Sequence, residues 1–313
     1  MNSPSYIDAA LLGKHSAWRY LGGFILILFI WLVIGSIATV VLLVFFALLQ
    51  GVGVTDLNQA LVDPTILGAI PNFLILNISF IFFFAGTGLA VLLIHRRPFR
   101  TLITGKPAIS WRRIGVGFIV WLVLGALGSI AEYLIWPETF SIQFEPLNFL
   151  VFAILALILT PIQTTSEELF FRGYLPQAGS LVSRNALFLS LLSGIVFTVP
   201  HFANPEVATN QVLVMLSYFL LGVFLAWISL KDGTIELAIG VHAANNLFAG
   251  MVVTFPQSVL QTPAIFSTTH FDPLFNLVVL VLLCILFYLY VFGWRRQARP
   301  ATVRGLEGEP PGS

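Results

Sequence analysis

Two adjacent stretches decide the fold: FLVFAILALILTP, residues Phe149 to Pro161, and SEELFFR, residues Ser166 to Arg172. The first stretch carries no charge, whereas the second holds three charged side chains within six positions. A charge near the centre of a membrane helix costs roughly 2.5–3.5 kcal/mol. Three charges persist together only if they satisfy one another or take part in chemistry. This cluster therefore predicts the functional region.

The composition is that of an integral membrane protein. Of the 313 residues, 58% are hydrophobic and 9% are charged, and the mean hydropathy is +0.95. A soluble domain has about 25% charged residues. The net charge of +1 argues against a nucleic-acid partner. Cys284 is the single cysteine, so the chain forms no internal disulfide.

Apolar segments of spanning length recur along the whole chain. A membrane-spanning helix needs about 20 apolar residues. The sequence therefore predicts an all-α polytopic membrane protein with about eight transmembrane helices. The predicted spans are 21–49, 72–94, 114–134, 147–165, 186–202, 211–230, 235–254 and 273–293.

The positions of the basic residues support eight crossings. With this number, all 15 Lys and Arg residues fall on one side of the membrane. Basic loops stay in the cytoplasm, so both termini are expected there. Seven crossings would export the four arginines that follow the last span. The loops of the opposite side carry only acids: Asp56, Asp63, Glu138, Glu145, Glu206 and Asp272.

Three regions are expected along the chain. Residues 1–146 hold the first three spans and a basic cytoplasmic loop at 95–113. Residues 147–254 form a catalytic membrane core. Residues 255–313 hold the last span and a disordered cytoplasmic tail, which begins near Gly293 and is rich in Gly, Pro and Glu.

The acidic pair is the first candidate for chemistry. Glu168 and Arg172 are four residues apart with the acid first, the favourable order for an ion pair on a helix. Glu167 points about 100° away from Glu168 and has no local partner, which suits a general base. The alternative is a salt-bridged cluster that only anchors the end of its helix.

Two histidines and an amide are the other candidates. His201 follows Pro200, which perturbs the last turn of its helix. His242 and Asn246 are four residues apart and share one face of an apolar helix. Each could instead be structural: His201 as an interfacial residue, and His242 with Asn246 as hydrogen-bonding contacts between helices.

The combination is more informative than any one member. A carboxylate, two imidazoles and an amide on separate helices can activate water and stabilise an oxyanion. The same imidazoles and carboxylate suit Zn²⁺. Straight spans, however, put Glu167 near the cytoplasmic end and His201 near the opposite end. Either the fourth span continues beyond residue 165, or the fifth is short, tilted or sunk.

These motifs resemble the membrane-embedded CAAX-processing endopeptidase and bacteriocin-immunity family, the CPBP or Abi group. The family pattern is Glu-Glu-x₃-Arg, Phe-x₃-His and His-x₃-Asn on successive helices. Over residues 160–250 it corresponds to Glu167-Glu168 with Arg172, to Phe197 with His201, and to His242 with Asn246.

The resemblance implies an intramembrane protease of the CAAX prenyl protease type. Glu167 and His201 would activate water, His242 and Asn246 would stabilise the oxyanion, and Glu168 and Arg172 would support them. Within this resemblance both a zinc metalloprotease, with Glu167, His201 and His242 as candidate ligands, and a metal-free mechanism are open.

The expected substrate is a membrane-associated peptide or protein, prenylated or otherwise lipidated, and the expected location is a bacterial plasma (inner) membrane. Two other functions stay open at this point. The protein could be a transporter or proton-relay protein, because intramembrane Glu and His residues are common in such pathways. It could also be a non-catalytic family member of the bacteriocin-immunity type.

Overall fold

The structure is a computed structural model, which describes residues 5–53, 56–57, 59–60, 63–259 and 261–293. Within these residues the fold is a bundle of eight long helices. Their bounds are α1 Ala17–Leu49, α2 Ala69–His95, α3 Trp111–Ile135, α4 Pro146–Gly179, α5 Ala186–Ala203, α6 Gln211–Asp232, α7 Glu236–Met251 and α8 Pro273–Gly293.

The predicted all-helical membrane class is confirmed, with one change in the count of spans. Seven of these helices are long and apolar enough to cross a membrane. The seventh predicted span, 235–254, is not among them, because the helix there, α7, has only 16 residues from Glu236 to Met251. The orientation of the termini stays a prediction, as does the division into three regions. The predicted disordered tail lies, from residue 294, outside the described residues.

Local sequence sets several helix boundaries. The side chain of Asp272 accepts hydrogen bonds from the backbone N–H of Leu274 and Phe275 at the start of α8. Asn185 and Asn210 cap α5 and α6 in the same manner. The first residue of α4 is Pro146, which lacks the N–H that would be unsatisfied there. These residues fix where the apolar runs become helical.

Helix α4 does not end where the sequence predicted. The prediction was 147–165, but the helix continues to Gly179 through a π-helical segment, Leu169–Tyr174. The prediction was wrong because it treated the charges as a helix end in water. In the structure Glu168 and Arg172 are completely buried inside the bundle. Glu167 therefore lies within a helix that continues past residue 165. This was one of the two conditions under which Glu167 and His201 could meet.

Helix α7 packs closely against α3 through two glycines. A Cβ atom on Gly240 would lie 2.0 Å from the carbonyl oxygen of Ile114, and one on Gly117 would lie 2.4 Å from that of Leu237. Neither position has room for a side chain. The two backbones are therefore in direct contact, which small residues at a helix interface allow.

Although short, α7 runs from one end of the bundle to the other. At its first residue, Glu236 accepts a hydrogen bond from the backbone N–H of Ser110, next to the start of α3. After its last residue comes a small sheet, which the sequence analysis did not predict. Strand β3 (Phe266–Thr268) pairs antiparallel with β1 (Phe140–Ile142), which follows α3, and parallel with β2 (Val253–Thr254), which follows α7.

The basic loop forms a folded layer at the end of the bundle where α3 and α7 begin. Arg97 of this loop is buried and donates to Gln177 of α4. Gln177 in turn donates to the backbone oxygens of Tyr6 and Thr101. The segment that precedes α1 and the loop at 95–113 are thus joined through one side chain of α4.

Candidate active site

The site begins with an ion cluster that joins α4 to α7. The predicted pair of Glu168 and Arg172 is present, with 2.9 Å between Glu168 Oε1 and a terminal nitrogen of Arg172. The same carboxylate oxygen lies 2.6 Å from His242 Nδ1. Because an ionised carboxylate only accepts hydrogen bonds, Nδ1 of His242 carries the hydrogen. Glu168 therefore fixes the orientation of the His242 ring through Nδ1. The other ring nitrogen of His242, Nε2, is not bonded to Glu168.

Aromatic rings complete the surroundings of this cluster. The guanidinium carbon of Arg172 lies 4.1 Å from the centre of the Phe197 ring, a cation–π geometry. The Phe197 ring also meets the His242 ring edge to face, with 5.9 Å between the centres. Phe197 of α5 thus contacts both α4 and α7, which explains why the Phe-x₃-His motif begins with this residue.

Glu167 has a different environment from its neighbour. Its Oε2 lies 3.7 Å from Nε2 of His242, beyond hydrogen-bond distance. Among the described residues this oxygen has no hydrogen-bond partner, although the side chain is 6% exposed. A buried carboxylate oxygen without a partner is costly. Oε2 of Glu168 also has no partner among these residues, but Glu168 is completely buried, whereas Glu167 lines a cavity and is therefore the acid that is available to a water molecule or substrate.

His201 is held through one ring nitrogen. Its Nδ1 lies 2.7 Å from the backbone oxygen of Phe197, which can only accept, so Nδ1 donates. In the neutral ring Nε2 is then the basic nitrogen. His201 belongs to the 3₁₀ segment Val199–Ala203 that ends α5. The change of helix type at Pro200 agrees with the predicted perturbation of the last turn.

One cavity of about 340 Å³ collects four of the six predicted residues. Glu167, His201, His242 and Asn246 all line it, whereas Glu168 and Arg172 are buried behind it. The difficulty raised by straight spans is thus resolved, because α4 continues past Glu167 and α5 is only 18 residues long. Asn245, next to Asn246, accepts a hydrogen bond from Trp121 of α3.

The cavity wall also contains polar residues that the sequence analysis did not select. Gln163 was detectable, because it precedes Glu167 by four residues and so lies on the same face of α4. No motif or helical spacing distinguished the others. The additional polar residues are Asn77, Gln163, Asn204, Glu206, Tyr218, Asn245 and Ser258.

The donor set does not fit the zinc site considered from sequence. Among the described residues, no group of three or more His, Cys, Asp or Glu side chains is arranged to hold a metal ion. Glu167, His201 and His242 line the same cavity, but they do not form such a group. We therefore derive no catalytic step through a metal.

The fold and the site together define a class: a helical integral membrane protein with acid, imidazole and amide side chains around a cavity inside the bundle. The sequence profile of the type II CAAX prenyl endopeptidase Rce1-like family matches residues 146–248. This range contains all six predicted site residues.

A curated relative covers most of the chain. The uncharacterized protein YyaK of Bacillus subtilis (strain 168) is 36% identical over 267 residues, which make up 84% of this chain and 87% of that protein. No solved structure matches the chain. The protein belongs to the Rce1-like type II CAAX prenyl endopeptidase family, within the CPBP/Abi group.

Proposed function

We propose that the protein is an intramembrane endopeptidase that hydrolyses peptide bonds of membrane-associated or lipidated substrates. The observation that carries this proposal is the single cavity lined by Glu167, His201, His242 and Asn246 within the region that matches the family. Support also comes from the contrast between Glu167, which lines the cavity, and its neighbour Glu168, which is completely buried and forms an ion pair with Arg172.

The first step uses a water molecule between Glu167 and His201. The Glu167 carboxylate takes a proton from the water, and Nε2 of His201 accepts the hydrogen bond of the remaining O–H. The water oxygen then attacks the carbonyl carbon of the scissile bond, and the carbonyl oxygen becomes an oxyanion. The proton held by Glu167 passes to the leaving nitrogen as the C–N bond breaks.

Stabilisation of the oxyanion falls to His242 and Asn246. Because Nδ1 of His242 donates to Glu168, donation from Nε2 to the oxyanion requires the doubly protonated ring. The neighbouring Glu168 carboxylate, which pairs with Arg172, stabilises this cation. Asn246 supplies an amide N–H as the second donor. Glu168 and Arg172 thus act through His242.

The rest of the cavity favours a substrate that arrives from the bilayer. Trp31 of α1 and Leu76 and Phe80 of α2 form an apolar part of the wall. An apolar chain on the substrate, such as a prenyl group, fits beside these residues better than a polar one. We assign the protein to a bacterial plasma membrane, with membrane peptides or lipidated proteins as its partners and no nucleic acid.

Cleavage by purified protein tests the proposal. Wild type, Glu167→Ala and Glu138→Ala are compared on prenylated and unprenylated membrane peptides, and the products are identified by mass spectrometry. Glu138 is an exposed glutamate in a connection away from the cavity, so its variant is the matched control. We expect cleavage by wild type and the control only. Equal turnover by Glu167→Ala would remove Glu167 from the mechanism, and no cleavage by wild type of any peptide would count against a protease.

Chelation tests the chemistry separately. Because the described residues contain no group arranged to hold a metal, we expect turnover to persist after treatment with a chelator. Elemental analysis of the same sample shows whether metal was removed. Loss of activity that returns with Zn²⁺ alone would establish a metalloprotease and contradict the water activation described above.

A further inference from the structure

Glu206 is a buried carboxylate in one of the connections that the sequence predicted as acidic loops. It lies in the short 3₁₀ helix Pro205–Ala208 between α5 and α6 and is 7% exposed. It also lines the cavity that holds Glu167 and His201. Two other acids of these loops, Glu138 and Glu145, are exposed. Burial of a carboxylate costs free energy unless hydrogen bonds replace those lost to water. The hydrogen-bond partners of Glu206 therefore indicate its role.

Three donors from three different segments bind this carboxylate. Oε1 accepts from the Tyr218 hydroxyl at 2.5 Å and from Asn204 Nδ2 at 3.3 Å. Oε2 accepts from the backbone N–H of Val259 at 3.1 Å. Asn204 Nδ2 also lies 2.8 Å from the Tyr218 hydroxyl oxygen. Both carboxylate oxygens are used, so a glutamine here could not accept all of these bonds, because its NH₂ group only donates.

The Tyr218 ring transmits this arrangement to His201. The centres of the two rings lie 4.1 Å apart and their planes are tilted by 33°. On its other side the imidazole is held by the bond from Nδ1 to the backbone oxygen of Phe197. These two contacts fix the plane of the ring and hence the direction of Nε2. The hydroxyl bond to Glu206 keeps the Tyr218 ring from moving away.

We propose that Glu206 is a positioning residue of this site, which orients His201 through Tyr218 and ties the segment at Val259 to the cavity wall. The inference rests on the proposed function, in which Nε2 of His201 accepts a hydrogen bond from the attacking water. Glu206 contacts neither water nor substrate in this account. It holds the Tyr218 ring, and that ring holds the imidazole of His201.

The kinetic test compares Glu206→Ala, Glu206→Gln and Tyr218→Phe with the exposed control Glu138→Ala. We expect kcat to fall about 10-fold or more for both Glu206 variants, as for other groups that orient an active-site residue, with KM little changed. Tyr218→Phe keeps the ring against His201 but loses the hydroxyl bond, so its kcat should lie between wild type and Glu206→Ala. The kcat of the double variant Glu206→Ala/Tyr218→Phe should be no lower than that of Glu206→Ala alone, because both substitutions break the same contact between Glu206 and Tyr218.

A chemical test does not depend on turnover. Diethylpyrocarbonate modifies a neutral imidazole, and mass spectrometry of the peptide that contains His201 gives the rate for this residue alone. We expect the rate to rise several-fold in Glu206→Ala and Tyr218→Phe and to stay at the wild-type value in Glu138→Ala. Modification rates and kcat that match wild type in the Glu206 variants would overturn the proposal.

The two tests separate the proposals from each other. If wild type cleaves no peptide, the protease function fails, while the modification rate of His201 still decides whether Glu206 orients it. If Glu206→Ala does not fold, as judged by its thermal unfolding in detergent, Tyr218→Phe carries the test. A folded Tyr218→Phe variant with unchanged kcat and unchanged modification rate would then reject the link.

Discussion

Helix α7 carries two charged clusters that differ in how completely they are paired. At its start, Glu236 accepts from the backbone N–H of Ser110 at 2.7 Å and lies 3.3 Å from Arg113 Nε. Arg113 also pairs with Asp232 at the end of α6. In this first cluster, which we call the terminal cluster, both oxygens of Glu236 have partners. It joins α3, α6 and α7 and lines none of the cavities around the candidate site.

The second cluster lies in the middle of α7, where His242 meets Glu168 and Arg172 of α4. We call it the central cluster. Here the adjacent Glu167 has an oxygen without a hydrogen-bond partner among the described residues and borders a cavity. The comparison teaches that burial and pairing alone do not identify a site. A paired cluster with no cavity holds helices together, whereas a paired cluster beside an incompletely paired acid and a cavity can act on a ligand.

The sharpest way to break this comparison is the same substitution in both clusters. We expect Glu167→Gln to lower kcat by about 10²–10⁴-fold, the range for loss of a general base, with the midpoint of thermal unfolding unchanged. Glu236→Gln should lower the midpoint and leave turnover per folded molecule intact. Peptide cleavage and unfolding are measured in one detergent. A Glu236→Gln variant with full stability and no turnover would show that the terminal cluster is catalytic.

The next largest effect is expected on stability in the central cluster. Arg172→Met leaves the fully buried Glu168 without its cation, and removal of one partner of a buried pair costs about 3–5 kcal/mol. The free energy of unfolding, measured by titration with SDS in mixed micelles, should fall by this amount. The double variant Glu168→Gln/Arg172→Met should recover much of the loss, because no unpaired charge is left. If the double variant is as unstable as Arg172→Met, the ion pair is not the cause.

A smaller loss is expected in the terminal cluster. Arg113→Gln leaves Asp232 and Glu236 without their shared cation. Because the Arg113 side chain is 14% exposed, the free energy of unfolding should fall by about 2 kcal/mol, the lower end of the range for loss of one partner of a buried charge pair. The neighbouring and exposed Arg112 provides the control, and Arg112→Gln should change the free energy of unfolding by less than about 0.5 kcal/mol. Equal effects of the two substitutions would mean that the cluster does not join the helices.

The smallest effect on the free energy of unfolding is expected at an exposed ion pair. This pair serves as a reference for the effects in the two clusters. Asp8 accepts from the Ser5 hydroxyl at 2.7 Å and pairs with Arg184. The hydrogen bond from Ser5 and the contact with Arg184 lower the pKa of Asp8 below its usual value. Its stabilisation is therefore present above the unfolded pKa of about 3.9 and is lost as the pH falls through the lower folded value. Asp8→Asn should cost less than about 1 kcal/mol at pH 7, measured by SDS titration, and this cost should disappear once the pH falls below the folded pKa of Asp8.

Much of the fold follows from the lengths of the apolar runs. The last span was predicted at 273–293, and α8 has these bounds. The prediction failed for α4 because hydropathy counts a charge as if it faced lipid or water. Glu168 and Arg172 instead face each other and His242, so the helix continues through them. Only the packing of α7 against α4 supplies that partner.

The candidate site was predictable where its residues lie on helices with fixed spacing. Glu167, Glu168 and Arg172 share one short stretch, and His242 and Asn246 share one face. Glu206 and Tyr218 were missed because their contacts depend on how a connection folds back onto α6. No periodicity records such a contact. A carboxylate in a connection between helices is expected to be exposed. Only the three-dimensional structure shows the groups that donate hydrogen bonds to it.

The π-helical segment Leu169–Tyr174 has a consequence for chain length. Its hydrogen bonds close over five residues instead of four, so each turn accommodates one residue more than an ordinary helix. A homologous chain that lacks one residue in this stretch could close an ordinary turn there and keep both acids in place. Arg172 would then shift along the axis relative to Phe197. The number of residues between the two acids and the arginine therefore matters in this π-helical segment. A homologue with a deletion there would have a different geometry in its ion pair.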